Sequence, residues 1–299
     1  MRQDHLTDPK LRAGLARLMG CSEEELSDFY TLKKGMTNHS YTFRCRGESY
    51  ILRVPGEGTD RMIDRAGEAA VYHALQGLDI CDDVAHIDPQ SGLKISRYYE
   101  NARVCDPLDR RDVALCMERL RRFHELRLSA PREFDIFGQM EFYESLWEGQ
   151  SSVYPDYAET KRRVLSLRTF IEGQARDIIL SHIDAVPDNF LFVGDGDIRL
   201  IDWEYAGMQD PHVDIAMFAI YALYDREQVD ALIDCYFPEG CVPAVRAKIY
   251  CYVAACGLLW SNWCEYKHQL GVDFGDYALR QYQYAKEYYE IAQTAIASL

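Results

Sequence analysis

The sequence has ten cysteines but no C-x-x-C pair, which argues against a zinc ribbon or a thioredoxin-type motif. A chain of this length does not need disulfide staples, so reduced thiols are expected. There is no apolar run of about 18 residues, so no membrane-spanning helix is expected. The first twenty residues, MRQDHLTDPKLRAGLARLMG, carry charges throughout. They lack the apolar segment of a signal peptide, and a cytoplasmic location follows as an expectation. Basic residues are the minority, 33 against 48 acidic ones, for a net charge of −15 at pH 7. That balance argues against a nucleic-acid partner and against a polybasic membrane patch. It fits solubility, and it is compatible with a cationic substrate without showing one.

What is present reads as a soluble globular protein: 48% hydrophobic and 27% charged over 299 residues. The length suggests one large domain or two closely packed ones. Residues 7–30 predict one or two short helices with a Leu11/Leu15/Leu18 stripe. YTFRCR, the polar turn GES and YILRVP predict a hairpin. Helical spacing over 61–76 stops at Gly77, and a strand pair follows near 84–87 and 93–98. From about residue 109 the pattern is helical, including 157–180 and 211–299, apart from a β segment at 190–202. The expected fold is α+β. A small β-rich N-terminal lobe (1–100) is followed by a larger, mainly helical C-terminal lobe (101–299), with a connector near Ser96–Pro107.

The stretch SHIDAVPDNF, 181–190, holds more polarity than a turn requires. It precedes a strand, Phe190–Val193, a turn, GDGD, and a returning strand, Ile198–Ile201. Such a hairpin is expected to bring its outer ends, Asn189 and Asp202, side by side, with Asp184 one loop away. A carboxamide and a carboxylate suit a hard cation such as Mg2+. Asp184 is then free to orient a hydroxyl or accept its proton. The spacing H-x-D-x-x-x-x-N, a hairpin and then IDWEY is the pattern of protein-kinase-like phosphotransferases. The competing reading is an acidic hairpin with a capping Asn.

SHIDAVPDNFLF together with IRLIDWEYAG resembles the choline/ethanolamine kinase family, within the aminoglycoside-phosphotransferase-like group. The resemblance is strongest to bacterial choline kinases. It extends to KKGMTNHSYTF, YILRVPGEGTDRMIDRAGE, LRRFHEL, DPHVDIA and LLWSNWCEY, and so covers most of the chain. It implies a two-lobed, protein-kinase-like fold. It also implies ATP as co-substrate, Mg2+ as cofactor, and choline or a related amino alcohol as acceptor. Asp184 would be the catalytic residue, and Asn189 and Asp202 would hold Mg2+. His182 and Asp214 would support the loop, with a helix cap as the alternative role for Asp214.

The same resemblance places ATP against KKGMTNHSY, where Gly35, Thr37, Asn38 and Ser40 would meet the phosphates. This stretch has one glycine in place of G-x-G-x-x-G. Arg53 stands where protein kinases have a strand lysine, and a guanidinium can clamp phosphate oxygens with two bonds. Glu68 would be its ion-pair partner. The alternative for both is an ordinary surface pair. Tyr205, Trp260, Trp263 and Tyr277 match aromatic positions lining the choline pocket, where a quaternary ammonium is held by aromatic faces. Tyr221 stands near the position where eukaryotic members have a glutamate, and Asp225 could serve in its place. On spacing alone these aromatics would read as core.

Three functions therefore compete: choline kinase, an ethanolamine or aminoglycoside phosphotransferase of the same fold, and a non-catalytic pseudokinase binding module. A polycation pocket should be rich in Asp and Glu, which LLWSNW is not. A pseudokinase should have lost one of Asp184, Asn189 or Asp202, and all three are present. The sequence leaves the oligomeric state open.

Overall fold

A computed structural model describes residues 9–34, 38–56, 63–194 and 196–299, without the side chains of Pro9, Lys10, Lys33 and Lys34. The chain divides into two compact units. One is Met1–Val104 with Leu191–Tyr205; the other is Cys105–Phe190 with Ala206–Leu299. The expected single cut near residue 100 thus differs in one respect: residues 191–205 cluster with the N-terminal unit.

The first unit opens with helix α1 (Pro9–Met19) and a 3-10 turn at Glu23–Glu25. Strands β1 (Leu26–Lys34), β2 (Asn38–Cys45) and β3 (Glu48–Pro55) follow, then helix α2 (Arg65–Leu75) and strands β4 (Val84–Ile87) and β5 (Lys94–Arg97). The five strands form one antiparallel sheet in the order β1-β2-β3-β5-β4. Arg46 and Gly47 both take positive φ between β2 and β3, as a two-residue hairpin turn of right-handed twist needs. One sheet face buries Phe43, Leu52 and Ile95 against Leu15 and Ala16 of α1. Leu18 is 43% exposed, so the predicted leucine stripe is only partly buried.

Strand β1 corrects the helical expectation for residues up to 30. Its pairing with β2 shifts register twice, between Ser27 and Tyr30 and between Thr31 and Lys33. Asp28 takes φ 55°. Such bulges break the two-residue alternation by which a strand is recognised in sequence. A small second sheet, β6 (Arg103–Val104), β8 (Phe190–Phe192) and β9 (Ile198–Leu200), contains the predicted 190–202 hairpin.

The second unit holds α3 (Arg110–Glu125), α4 (Ile136–Ser145), α5 (Tyr157–Ser166), α6 (Arg168–Gly173), α7 (His212–Tyr221), α8 (Arg226–Tyr236), α9 (Pro243–Gln269) and α10 (Asp276–Ala297). Asp109 caps α3 by accepting from the Arg111 and Asp112 N–H groups. From Ala247 to Glu265, α9 is buried on all sides, as expected of a central core helix. The predicted helix over 157–180 ends at Gly173, and Ile179–Ser181 is strand β7, paired with β10 (Gly207–Gln209). Three-residue strands carry too little periodicity to be read in advance. No helix among the described residues is long and apolar enough to cross a membrane.

Candidate active site

In the second unit the chain leaves β7 at Ser181 and turns through His182 and Ile183. Ile183 has φ 69°, a conformation a β-branched residue rarely adopts. Asp214, in the first turn of α7 and fully buried, holds it there. Its Oδ2 accepts from the His182 N–H at 2.8 Å and its Oδ1 from the Ile183 N–H at 2.7 Å. His124 Nε2 also meets Asp214 Oδ2 at 3.0 Å, and His124 Nδ1 meets the Tyr236 hydroxyl at 2.8 Å. Sequence reasoning assigned no role to His124, although LRRFHEL contains it. A histidine on the apolar face of an amphipathic helix was the available signal.

Asp184 follows, half-buried. A 3-10 turn over Pro187–Asn189 brings Asn189 back to it. Asn189 Nδ2 donates to the Asp184 carbonyl at 2.9 Å and to Asp184 Oδ2 at 3.1 Å. That use of the amide nitrogen turns Asn189 Oδ1 the other way. Asp188, exposed, accepts from the Tyr221 hydroxyl at 3.2 Å. Burial, then Asp188 and more weakly Asp184, push the Tyr221 phenol above its usual range.

Tyr221 begins a continuous row of rings. Its centroid lies 6.0 Å from Tyr277, Tyr277 lies 6.4 Å from Phe274, Phe274 5.2 Å from Trp263, and Trp263 5.7 Å from Trp260. The structure thus joins four of the predicted aromatics and adds Phe274, which the sequence reading missed. Lys267 Nζ lies 5.5 Å from the Trp263 ring centre. Both tryptophans are largely buried, so the row also serves as packing. Asp225 is the N-cap of α8, where it accepts from the Gln228 N–H at 2.9 Å. One oxygen of its carboxylate is engaged there as a helix cap.

In the first unit Arg53 is 6% and Glu68 1% exposed, so this is not a surface pair. Arg53 Nη2 donates to Glu68 Oε2 at 2.7 Å and Nη1 to Asp202 Oδ1 at 3.2 Å. Burial opposes the guanidinium charge. Glu68, and then Asp202, outweigh it and hold Arg53 above its usual range. Asp202 has φ 67°, and its side chain is 38% exposed. The next residue, Trp203, is fully buried, and its Nε1 donates to the Leu200 carbonyl at 2.9 Å. Glu204, unassigned from sequence, is buried with Oε2 3.8 Å from Arg53 Nη1. Its burial, together with Asp202, pushes its carboxyl up to about 7 against the pull of Arg53. Asn38 Nδ2 donates to Glu204 at 2.9 Å. Ser40 is the cross-strand partner of Arg53, and Tyr205 is buried in this same unit. Gly35 and Thr37 lie outside the described residues.

The sequence profile of the choline/ethanolamine kinase family matches residues 29–236. Protein LicA of Haemophilus influenzae is 31% identical over 265 residues, 83% of this chain and 76% of that protein. The crystal structure of choline kinase LicA from Streptococcus pneumoniae has a TM-score of 0.81 at 27% identity, covering 94% of this chain and 98% of the other. A crystal structure of LicA in complex with AMP gives 0.80 at 27% identity, covering 97% and 100%. The chain belongs to the choline/ethanolamine kinase family.

Proposed function

We propose that this enzyme is an ATP- and Mg2+-dependent choline kinase, giving phosphocholine and ADP. The ring row from Trp260 to Tyr221 carries the reading, because its Tyr221 end is tied to Asp188 on the Asp184–Asn189 loop. A quaternary ammonium has no N–H to donate and is held by aromatic faces, each worth about 0.5–2 kcal/mol. Its hydroxyl would then face Asp184, which orients it and takes its proton as it attacks the γ-phosphate in line. Arg53, held by Glu68, would neutralise phosphate charge, with Asn38 and Ser40 on the adjacent strand.

Taken one by one, the two residues that the family resemblance assigns to Mg2+ each offer an oxygen of the kind a hard divalent ion takes: a part-exposed carboxylate at Asp202 and a carboxamide at Asn189. When bound, Mg2+ would supply charge neutralisation at the phosphates. Support comes also from relatives described as choline kinase and as an AMP complex. The ten cysteines are free thiols, which together with ATP use fits a cytoplasmic enzyme.

Parallel assays of ATP consumption with choline, ethanolamine and kanamycin test the reading. Turnover favouring choline supports the aromatic pocket. Turnover on another acceptor keeps the loop chemistry and discards the pocket.

A further inference from the structure

The sheet face turned toward α2 carries two cations side by side. Arg53 of β3 and Lys94 of β5 are direct cross-strand partners. Adjacent like charges on a sheet are destabilising, and here both are buried, each 6% exposed. Arg53 is answered by Glu68 and Asp202. Lys94 has its own set: its Nζ donates to the Tyr72 hydroxyl at 2.5 Å and to Asp82 Oδ2 at 3.1 Å. The ammonium also lies 4.4 Å from the Tyr72 ring centre.

These partners sit on the segments that carry the Arg53 partners. Tyr72 is one helical turn beyond Glu68 on α2, on the same face. Asp82 directly follows Ile80 and Cys81, which pair with β9. The Leu200 N–H donates to the Ile80 carbonyl at 2.8 Å, and Cys81 bridges Leu200. Two residues past Leu200 the chain reaches Asp202. Arg199 reinforces the join by donating to Asp79 at 3.2 Å. Lys94 therefore ties together β5, the Glu68 helix and the segment that leads into Asp202.

Stability alone does not account for this arrangement. A buried ion pair is often no more stabilising than apolar residues of the same volume. Asp82 Oδ1 is also buried with no hydrogen-bond partner among the described residues. We propose that Lys94, with Asp82 and Tyr72, is a positioning residue that fixes Glu68 and Asp202 around Arg53. The proposal rests on the phosphate-binding role given to Arg53 above. Lys94 itself need not touch nucleotide.

The test compares the wild-type enzyme, a paired apolar variant (Lys94→Met with Asp82→Leu) and Lys94→Arg. Melting temperature, both KM values and the NMR signal of the Arg53 Nε–H group are measured, the signal being assigned with Arg53→Lys. The paired variant should stay folded with an unchanged or higher melting temperature. Its ATP KM should rise about tenfold while the acceptor KM moves less than about twofold. Its Arg53 signal should broaden or shift, and Lys94→Arg should retain most of the ATP affinity. An unchanged ATP KM with an unchanged Arg53 signal overturns the proposal. So does a parallel rise of both KM values with a lower melting temperature, the mark of a purely structural pair. If the wild type consumes no ATP with any acceptor, the functional reading fails. The Arg53 signal then decides alone: altered in the paired variant it upholds the positioning role, and unchanged it overturns it.

Discussion

Asn189 Nδ2 donates to both the carbonyl and the carboxylate of Asp184, at 2.9 and 3.1 Å. The loop thereby fixes the carboxylate that we propose meets the acceptor hydroxyl. Asp184→Ala should lower turnover by about 10²–10⁴-fold, the range for a lost general base. ATP binding by calorimetry should stay within about threefold of wild type. Asn189→Asp, which sets a second carboxylate against the first, should also lose turnover. Retained turnover in Asp184→Ala would exclude it as the catalytic residue.

Asp214 answers two peptide N–H groups and His124 from a fully buried position. Asp214→Asn exchanges one acceptor oxygen for a donor that faces other donors. The expected cost is about 2–4 kcal/mol in urea unfolding, with lower turnover, because the strained Ile183 turn loses its anchor. A variant as stable and active as wild type would remove Asp214 from that role.

Part of this loop was legible in sequence: Asp184 and Asn189 stand close together in SHIDAVPDNF and are hydrogen-bonded, whereas the place of Asp214 behind the loop came from the family resemblance. The pairing of Glu68 with Arg53 came from the family resemblance, not from spacing, and the structure forms it at 2.7 Å. His124 and Glu204 were not legible. Their partners are distant in sequence, and a buried histidine or glutamate carries no mark of its partner. Strand β1 was hidden by its bulges, and β7 and β10 by their brevity. Phe274 lies in a turn before α10, where helical spacing gives no facing rule.

The aromatic row joins two helices that touch at Gly257. A Cβ there would meet the Gln281 carbonyl and Tyr284 Cβ at 2.8 Å, both on α10. Gly257→Ala should cost about 1–3 kcal/mol by forcing α9 and α10 apart. It should also raise the acceptor KM, since Trp263 and Tyr277 lie on those two helices. Trp263→Ala should raise the acceptor KM far more than the ATP KM. Equal effects on both would mean that Trp263 is packing alone.

His212 supplies a pH test of the second unit. Its ring packs against Tyr236 and Phe237. Burial, assisted by Lys248 and His124 against the opposing pull of Asp210 and Asp177, lowers its pKa to about 4. The unfolded chain takes up this proton near pH 6.5, and the folded one only near 4. The unfolded state therefore binds more protons between those values, and stability is lost as pH falls through that window. His212→Gln should remove roughly 1–3 kcal/mol of the fall in unfolding free energy across that window. A slope identical to that of wild type would contradict the assignment.

Phosphoryl transfer from ATP to choline through Asp184 is the step on which the proposed function rests. Phosphorus NMR of the reaction with ATP, Mg2+ and choline, run with wild type and with Asp184→Ala, addresses it most directly. A choline phosphomonoester signal should grow in step with ADP for the wild type, and none should appear for the variant. ATP consumed without that monoester, or equal product from both proteins, would contradict it.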